Sequence, residues 1–364
     1  MPTFRVMQIV TSVPRPATLQ LRLVLFGGKQ LFASTNHTIG MEFGLYLNQY
    51  GDERNDFDFE DMFEQLDVLE EQPYDVAAVG QRHFYEEGFY DPFTCLTAMA
   101  THTDSLKILA NILILPVFHP IHLAERMMGL DHLTDGNAAF GVSLGYRESE
   151  LENFGVPMDD RVSRFMEGLA ITKRLLEGER FDYDGEHFSF EDAFVRPEPI
   201  QDPRPPILGG GSAEVAIKRA AYRCDGFTAA ITEPEQLEAD INRYYDALEE
   251  AGKDSEDGHV TIMVDGYVAE STEAAVDALD PYLIDLQTKY IKWGNPEFEG
   301  RPDWEDIEDQ LLFGTPEEVA EKVELYRDIG VDRLIFRTQF PGMDQDVALR
   351  SIERFGDDVI SQVR

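Results

Sequence analysis

A chain of 364 residues, 43% of them hydrophobic, can bury a large core, either as two average domains or as one big α/β barrel. Its 31 basic and 70 acidic residues leave a formal charge of −39, which excludes nucleic acid as a partner because phosphate contacts need clustered Lys and Arg. Two cysteines, Cys95 and Cys224, exclude a disulfide framework and suit a reducing cytoplasm.

The charge is unevenly placed. Residues 1–40 hold Arg5, Arg15, Arg22 and Lys29 and no acid, and acidic character begins at Glu42. This segment reads as a basic leader, disordered or a mis-assigned start, with the folded domain over 41–364. The apolar run 23–28 is too short for a secretory signal. Nowhere do about 20 apolar residues follow one another, so no membrane span is expected. Beyond Glu42 the acids are spread through periodic segments rather than gathered in a tail. Such a surface repels itself, and molar salt relieves it by shortening the screening length to about 3 Å. The expected setting is the cytoplasm of a halophile.

From Met41 short apolar runs alternate with charged, helix-periodic segments, the βα pattern of a parallel sheet. The predicted strands are 43–47, 76–79, 106–114, 138–142, 207–208, 226–230, 261–268 and 333–336. The predicted helices are 59–71, 92–101, 119–133, 161–177, 213–222, 234–251, 272–286, 317–329 and 346–359. Eight strands, each followed by a helix, predict a single (β/α)8 barrel of the TIM type. Two irregular insertions, 185–206 and 290–306, belong at its C-terminal rim. In such a barrel the strand ends gather at that rim and hold ligands.

The strand ends carry the motifs. The first leads to Asn48 and Tyr50, and the second into Gly80-Gln81-Arg82-His83-Phe84. Histidine can give or take a proton near neutrality, although His83 could also only bond the strand-end backbone. The third strand carries Asn111-Ile112 and runs into Leu115-Pro116. His119 and His122 follow it without the usual carboxylate partner, so no metal site is expected. The fourth ends in Gly141-Val142-Ser143-Leu144-Gly145-Tyr146, and the next helix opens with Arg161 and Arg164. The fifth ends in Gly209-Gly210-Gly211-Ser212 before a helix. Glycines let backbone N–H groups approach an anion, and a helix N-terminus favours negative charge. A tight strand–helix turn also uses glycine. No Gly-x-Gly-x-x-Gly follows a strand, so a built-in dinucleotide domain is not expected.

The ordered set of these motifs resembles the bacterial luciferase-like superfamily of flavin- and deazaflavin-dependent oxidoreductases, over about residues 41–361. The resemblance implies a monooxygenase that uses reduced FMN and O2 on a small organic substrate, with the FMN supplied by a separate flavin reductase. It also implies a homodimer. His83 and Arg82 take the catalytic positions by this likeness, although Arg82 stands where true luciferases carry their first histidine. The likeness places the cofactor against Asn111, Ile112, Gly141, Ser143 and Gly145, with a cis peptide at Asn111–Ile112. Its phosphate falls to Gly209, Gly210, Gly211, Ser212 and Arg164, with Arg161 as neighbouring candidate. Asn48, Phe84 and Tyr146 fall on the substrate side. The alternative on the same scaffold is hydride transfer with coenzyme F420, served by an F420-reducing system; its acidic tail wants basic residues that this chain lacks. A third reading is a non-catalytic flavin-binding protein.

Overall fold

A computed structural model describes residues 40–50, 59–85, 88–229, 231–293 and 303–364. The expectation for the leader therefore lies outside the described residues, as does the 294–302 part of the second insertion. The strands, in chain order, are β1 (Glu42–Tyr46), β2 (Val76–Val79), β3 (Lys107–Ile114), β4 (Ala138–Ser143), β5 (Phe181–Asp184), β6 (Ser189–Ala193), β7 (Ile207–Gly210), β8 (Gly226–Ala229), β9 (Val260–Val268), β10 (Leu312–Gly314) and β11 (Arg333–Arg337). Eight of them close a parallel barrel in the order β1, β2, β3, β4, β7, β8, β9, β11 and back to β1. The (β/α)8 expectation holds.

The strand sequences explain this arrangement. β2 reads Val-Ala-Ala-Val and is buried throughout, as a parallel strand covered on both faces should be. Alternate residues face the barrel axis: Tyr46, Val76, Ala78, Leu109, Ala139, Leu208 and Ile335 form one interior cluster, with Met263 against it. The other parity packs outward onto the helices in a far larger cluster. Helix starts are set chemically too. Thr315 and Glu318 form a capping box ahead of Pro316–Asp328, with proline in its first turn.

Three features depart from the sequence expectation. The helix predicted to end at 286 runs over Thr272–Lys292, with Pro281 inside it. Proline removes one backbone bond there, but burial of Leu283, Ile284, Leu286, Gln287 and Tyr290 carries the helix onward. The 185–206 insertion contains β6, which pairs antiparallel with β5 as a hairpin beside the barrel. The short helix Glu148–Asn153 and β10 are also unforeseen, each too short to show a period. Among the described residues no helix is long and apolar enough to cross a membrane.

Candidate active site

On one side of the C-terminal rim, the ends of β3, β4 and β7 are shaped around Ile112. β3 shifts register against β4 between Ala110 and Leu113. The Asn111–Ile112 peptide is cis, as expected. A Cβ on Gly141 would stand 3.1 Å from Ile112 Cγ1 and 2.9 Å from the Ala110 carbonyl oxygen, and one on Gly210 would collide with Ile112 Cδ1. Both glycines therefore answer first to packing. Asn111 is buried, and its Oδ1 accepts the Thr228 hydroxyl at 3.0 Å across the barrel interior. Ser143 pairs with Ile114 in the β3–β4 ladder. Gly145 has φ +75, a left-handed conformation that an L side chain resists, and its Cβ would press on Ile114.

The turn after β7 leads directly into a helix. Gly209 lets the helix Glu214–Arg223 lie close on the strand, since a Cβ there would sit 2.8 Å from Ala220 Cβ. Gly211 has φ +144, and Ser212 is exposed. Ala213 at the N-cap offers no side-chain bond, so the first N–H groups of that helix are left for another acceptor. Facing this helix, Arg161 opens the helix Arg161–Leu176 and donates through Nη1 to the Met158 carbonyl at 2.9 Å. Its Nε is buried without a hydrogen-bond partner. Arg219, over the ring of Phe165, is lowered by burial and further by the charge of Arg161. Arg161 and Arg219 thus lie close enough to feel each other's charge, and Arg161 keeps one N–H unspent among the described residues. Arg164 is turned elsewhere, its Nε on the Pro116 carbonyl at 2.8 Å and its plane over Phe188.

Across the barrel, β1, β2, β9 and β11 fill the rim with side chains. Arg337 and Asp265 form a fully buried bidentate pair, with Nε–Oδ1 2.5 Å and Nη2–Oδ2 2.7 Å. The Tyr290 hydroxyl accepts from Arg337 Nη1 at 3.1 Å and from Arg82 Nη2 at 3.0 Å. Burial raises the Tyr290 phenol, but the two guanidiniums outweigh it and lower it overall. Burial pushes Tyr46, beside them, up to about 12 despite both arginines.

His83 points to a different place from its neighbour. Its backbone N–H donates to Glu150 at 2.7 Å and its carbonyl accepts from Arg147 Nη1 at 2.9 Å. Burial raises the Glu150 carboxyl against the pull of that N–H and of Arg147. The His83 ring packs on Phe154 and meets Gln81 Nε2 at 2.6 Å through its own Nε2. Gln81 Oε1 already accepts the Ile114 N–H at 2.8 Å, so its amide must donate to His83. The imidazole is then neutral with its proton on Nδ1. Burial lowers its pKa, Asp91 opposes this, and Arg147 adds to it.

The sequence model described as luciferase-like monooxygenase matches residues 41–333. The chain belongs to that family. It is 26% identical over 300 residues to the FMNH2-dependent dimethylsulfone monooxygenase of Pseudomonas putida, covering 76% of this chain and 79% of that protein. The monooxygenase RslO1 of Streptomyces bottropensis shares the fold at TM-score 0.80 and 22% identity, over 89% of this chain and all of that one. An F420-dependent secondary alcohol dehydrogenase shares it at TM-score 0.74 and 18% identity, over 90% of this chain and all of that one.

Within this luciferase-like enzyme the expected site residues are thus scattered over the rim. Asn48 is buried, its Oδ1 accepting the Tyr50 N–H at 3.0 Å in a turn. Phe84, 58% exposed with φ +51, and Tyr146, 45% exposed, stand open at the surface. The residues that sequence reading missed are Asp265, Tyr290, Arg337, Arg147 and Glu150. The available signals were the acid inside β9 for Asp265 and the charge closing the apolar run 334–336 of β11 for Arg337. The other three act across long sequence separations and gave none.

Proposed function

We propose that this family member is a monooxygenase that uses reduced FMN and O2 on a small organic substrate. The observation that carries the reading is the buried Nε of Arg161, without a hydrogen-bond partner among the described residues, together with the helix N-terminus after Gly211 that no side chain caps. That corner suits one phosphate monoester. The acidic surface and the scarcity of basic residues disfavour the long acidic tail of F420. The likeness over 300 residues to an FMNH2-dependent enzyme supports the same reading.

In this reading Arg161, Arg219, Gly211 and Ser212 hold the phosphate, and Asn111, Ile112, Gly141 and Gly145 bound the ring. Bound reduced FMN supplies the electrons that activate O2. His83, neutral and half-buried, presents its Nδ1–H as a hydrogen-bond donor to the bound reactants. Trp293, Tyr290 and Tyr85 exclude water on the far side. A separate reductase supplies the reduced flavin. The test is parallel titration of the protein with FMN and with F420, followed by cofactor fluorescence, then oxygen uptake with FMNH2. FMN preference and substrate-dependent uptake support the reading. F420 preference without oxygen uptake replaces it with hydride transfer.

A further inference from the structure

Arg82 continues the parity of Val76, Ala78 and Gly80, which faces the barrel axis. Its guanidinium sits among four aromatic rings, 5.5 Å from the centroid of Tyr85, 5.8 Å from Phe89, 4.8 Å from Tyr290 and 5.3 Å from Trp293. A guanidinium cannot shed its proton in a protein. Arg337 is neutralised by Asp265, but Arg82 has no carboxylate partner among the described residues. Its Nη1 is buried with no hydrogen-bond partner. The hydroxyl of Tyr50 is equally orphaned, on a side chain only 2% exposed. Tyr50 touches the same rings, at 5.3 Å from Tyr85 and 5.2 Å from Phe89. One buried cation and one buried hydroxyl therefore share a single aromatic box, each with a donor unspent. Leaving such groups unpaired is costly unless a ligand satisfies them.

We propose that this box is a second anion subsite, which takes the carboxylate or sulfonate of a small organic substrate through Arg82 Nη1 and the Tyr50 hydroxyl. The apolar body of that substrate lies against the surrounding rings. A cavity of about 210 Å3 lies beside it, shares Tyr85 as a wall and is lined by Lys289 and Lys292, two of the chain's eight lysines. With Asp285 on the same wall, the two lysines leave a local positive balance on a strongly acidic protein. Naming the anion a substrate rests on the proposed monooxygenase reading; the binding itself does not.

The test is equilibrium binding of benzoate, benzenesulfonate and uncharged benzamide to the full-length protein at one salt concentration. Tryptophan fluorescence reports it, with Trp304→Phe as background so that Trp293 is the single reporter. The proposal expects the anions to bind about tenfold or more tightly than benzamide. Tyr50→Phe should weaken the anions about tenfold with benzamide unchanged. Arg82→Met should erase the preference and Arg82→Lys should keep part of it, which shows that loss is not misfolding. Equal affinity for benzoate and benzamide, or a preference that survives Arg82→Met, overturns the subsite. A parallel FMN titration separates the two ideas. FMN binding without anion preference sinks the subsite alone, whereas anion preference without FMN binding sinks the monooxygenase reading alone.

Discussion

The two halves of the barrel rim are built from opposite materials. The β3–β4–β7 half is backbone, glycine and one inserted isoleucine, followed by a helix start that no side chain caps. The β1–β2–β9–β11 half is crowded with long side chains, in which Asp265 pairs with Arg337 and Tyr290 bridges to Arg82. The first half offers dipoles that need no partner in the chain. The second holds permanent charges that do, and among the described residues Arg337 has a carboxylate whereas Arg82 has none. Backbone can wait for a ligand at little cost, whereas a buried guanidinium cannot.

The contrast breaks most visibly at Asp265. Asp265→Ala strands Arg337 in the core and should cost about 3–5 kcal/mol in chemical unfolding. An Arg337→Met, Asp265→Leu double variant should recover most of that loss. On the glycine half the expected losses are smaller and graded by what the new methyl meets. Gly209→Ala presses on the Ala220 backbone, 2.9 Å away, and should cost about 1–3 kcal/mol. Gly210→Ala meets the movable end of Ile112 and should cost less, with Ile112→Ala restoring it. Equal losses at the two glycines would mean that Ile112 does not yield.

A control lies at the opposite end of the barrel. Burial disfavours ionised Glu42, but Arg333 and Lys107 outweigh it and hold its carboxyl near 2 against an ordinary 4.5. Its stabilisation is present in full above pH 4.5 and fades as the pH falls toward 2. Glu42→Gln should remove that part of the acid-unfolding curve and leave cofactor binding unchanged. The smallest effect concerns His83. Its NMR titration should fall below 6.5 in the wild type. Gln81→Glu should raise it by about one unit or more, because a carboxylate then faces Nε2.

How much of this was legible follows the same division. The barrel, all nine predicted helix starts to within one residue, and the glycine turn come from local periodicity and strand-end composition. The Ile112 insertion adds a reason for Gly141 and Gly210 that spacing alone could not supply. On the other half, Tyr290 reaches the rim only because its helix continues to Lys292, beyond the predicted end at 286. Its partners Arg82 and Arg337 lie 208 and 47 residues away in sequence. Pairings set by barrel closure leave no periodic trace. Arg161 and Arg164 illustrate the finer limit: one helical turn apart, they differ in which has its Nε already spent on a carbonyl.

The most direct test of the central claim, a phosphate corner built on Arg161, is FMN affinity by fluorescence quenching in wild type, Arg161→Ala and Arg164→Ala. Arg161→Ala should weaken FMN by about tenfold to a hundredfold, with Arg164→Ala clearly milder. Unchanged affinity in Arg161→Ala, with the loss falling on Arg164→Ala instead, would contradict it.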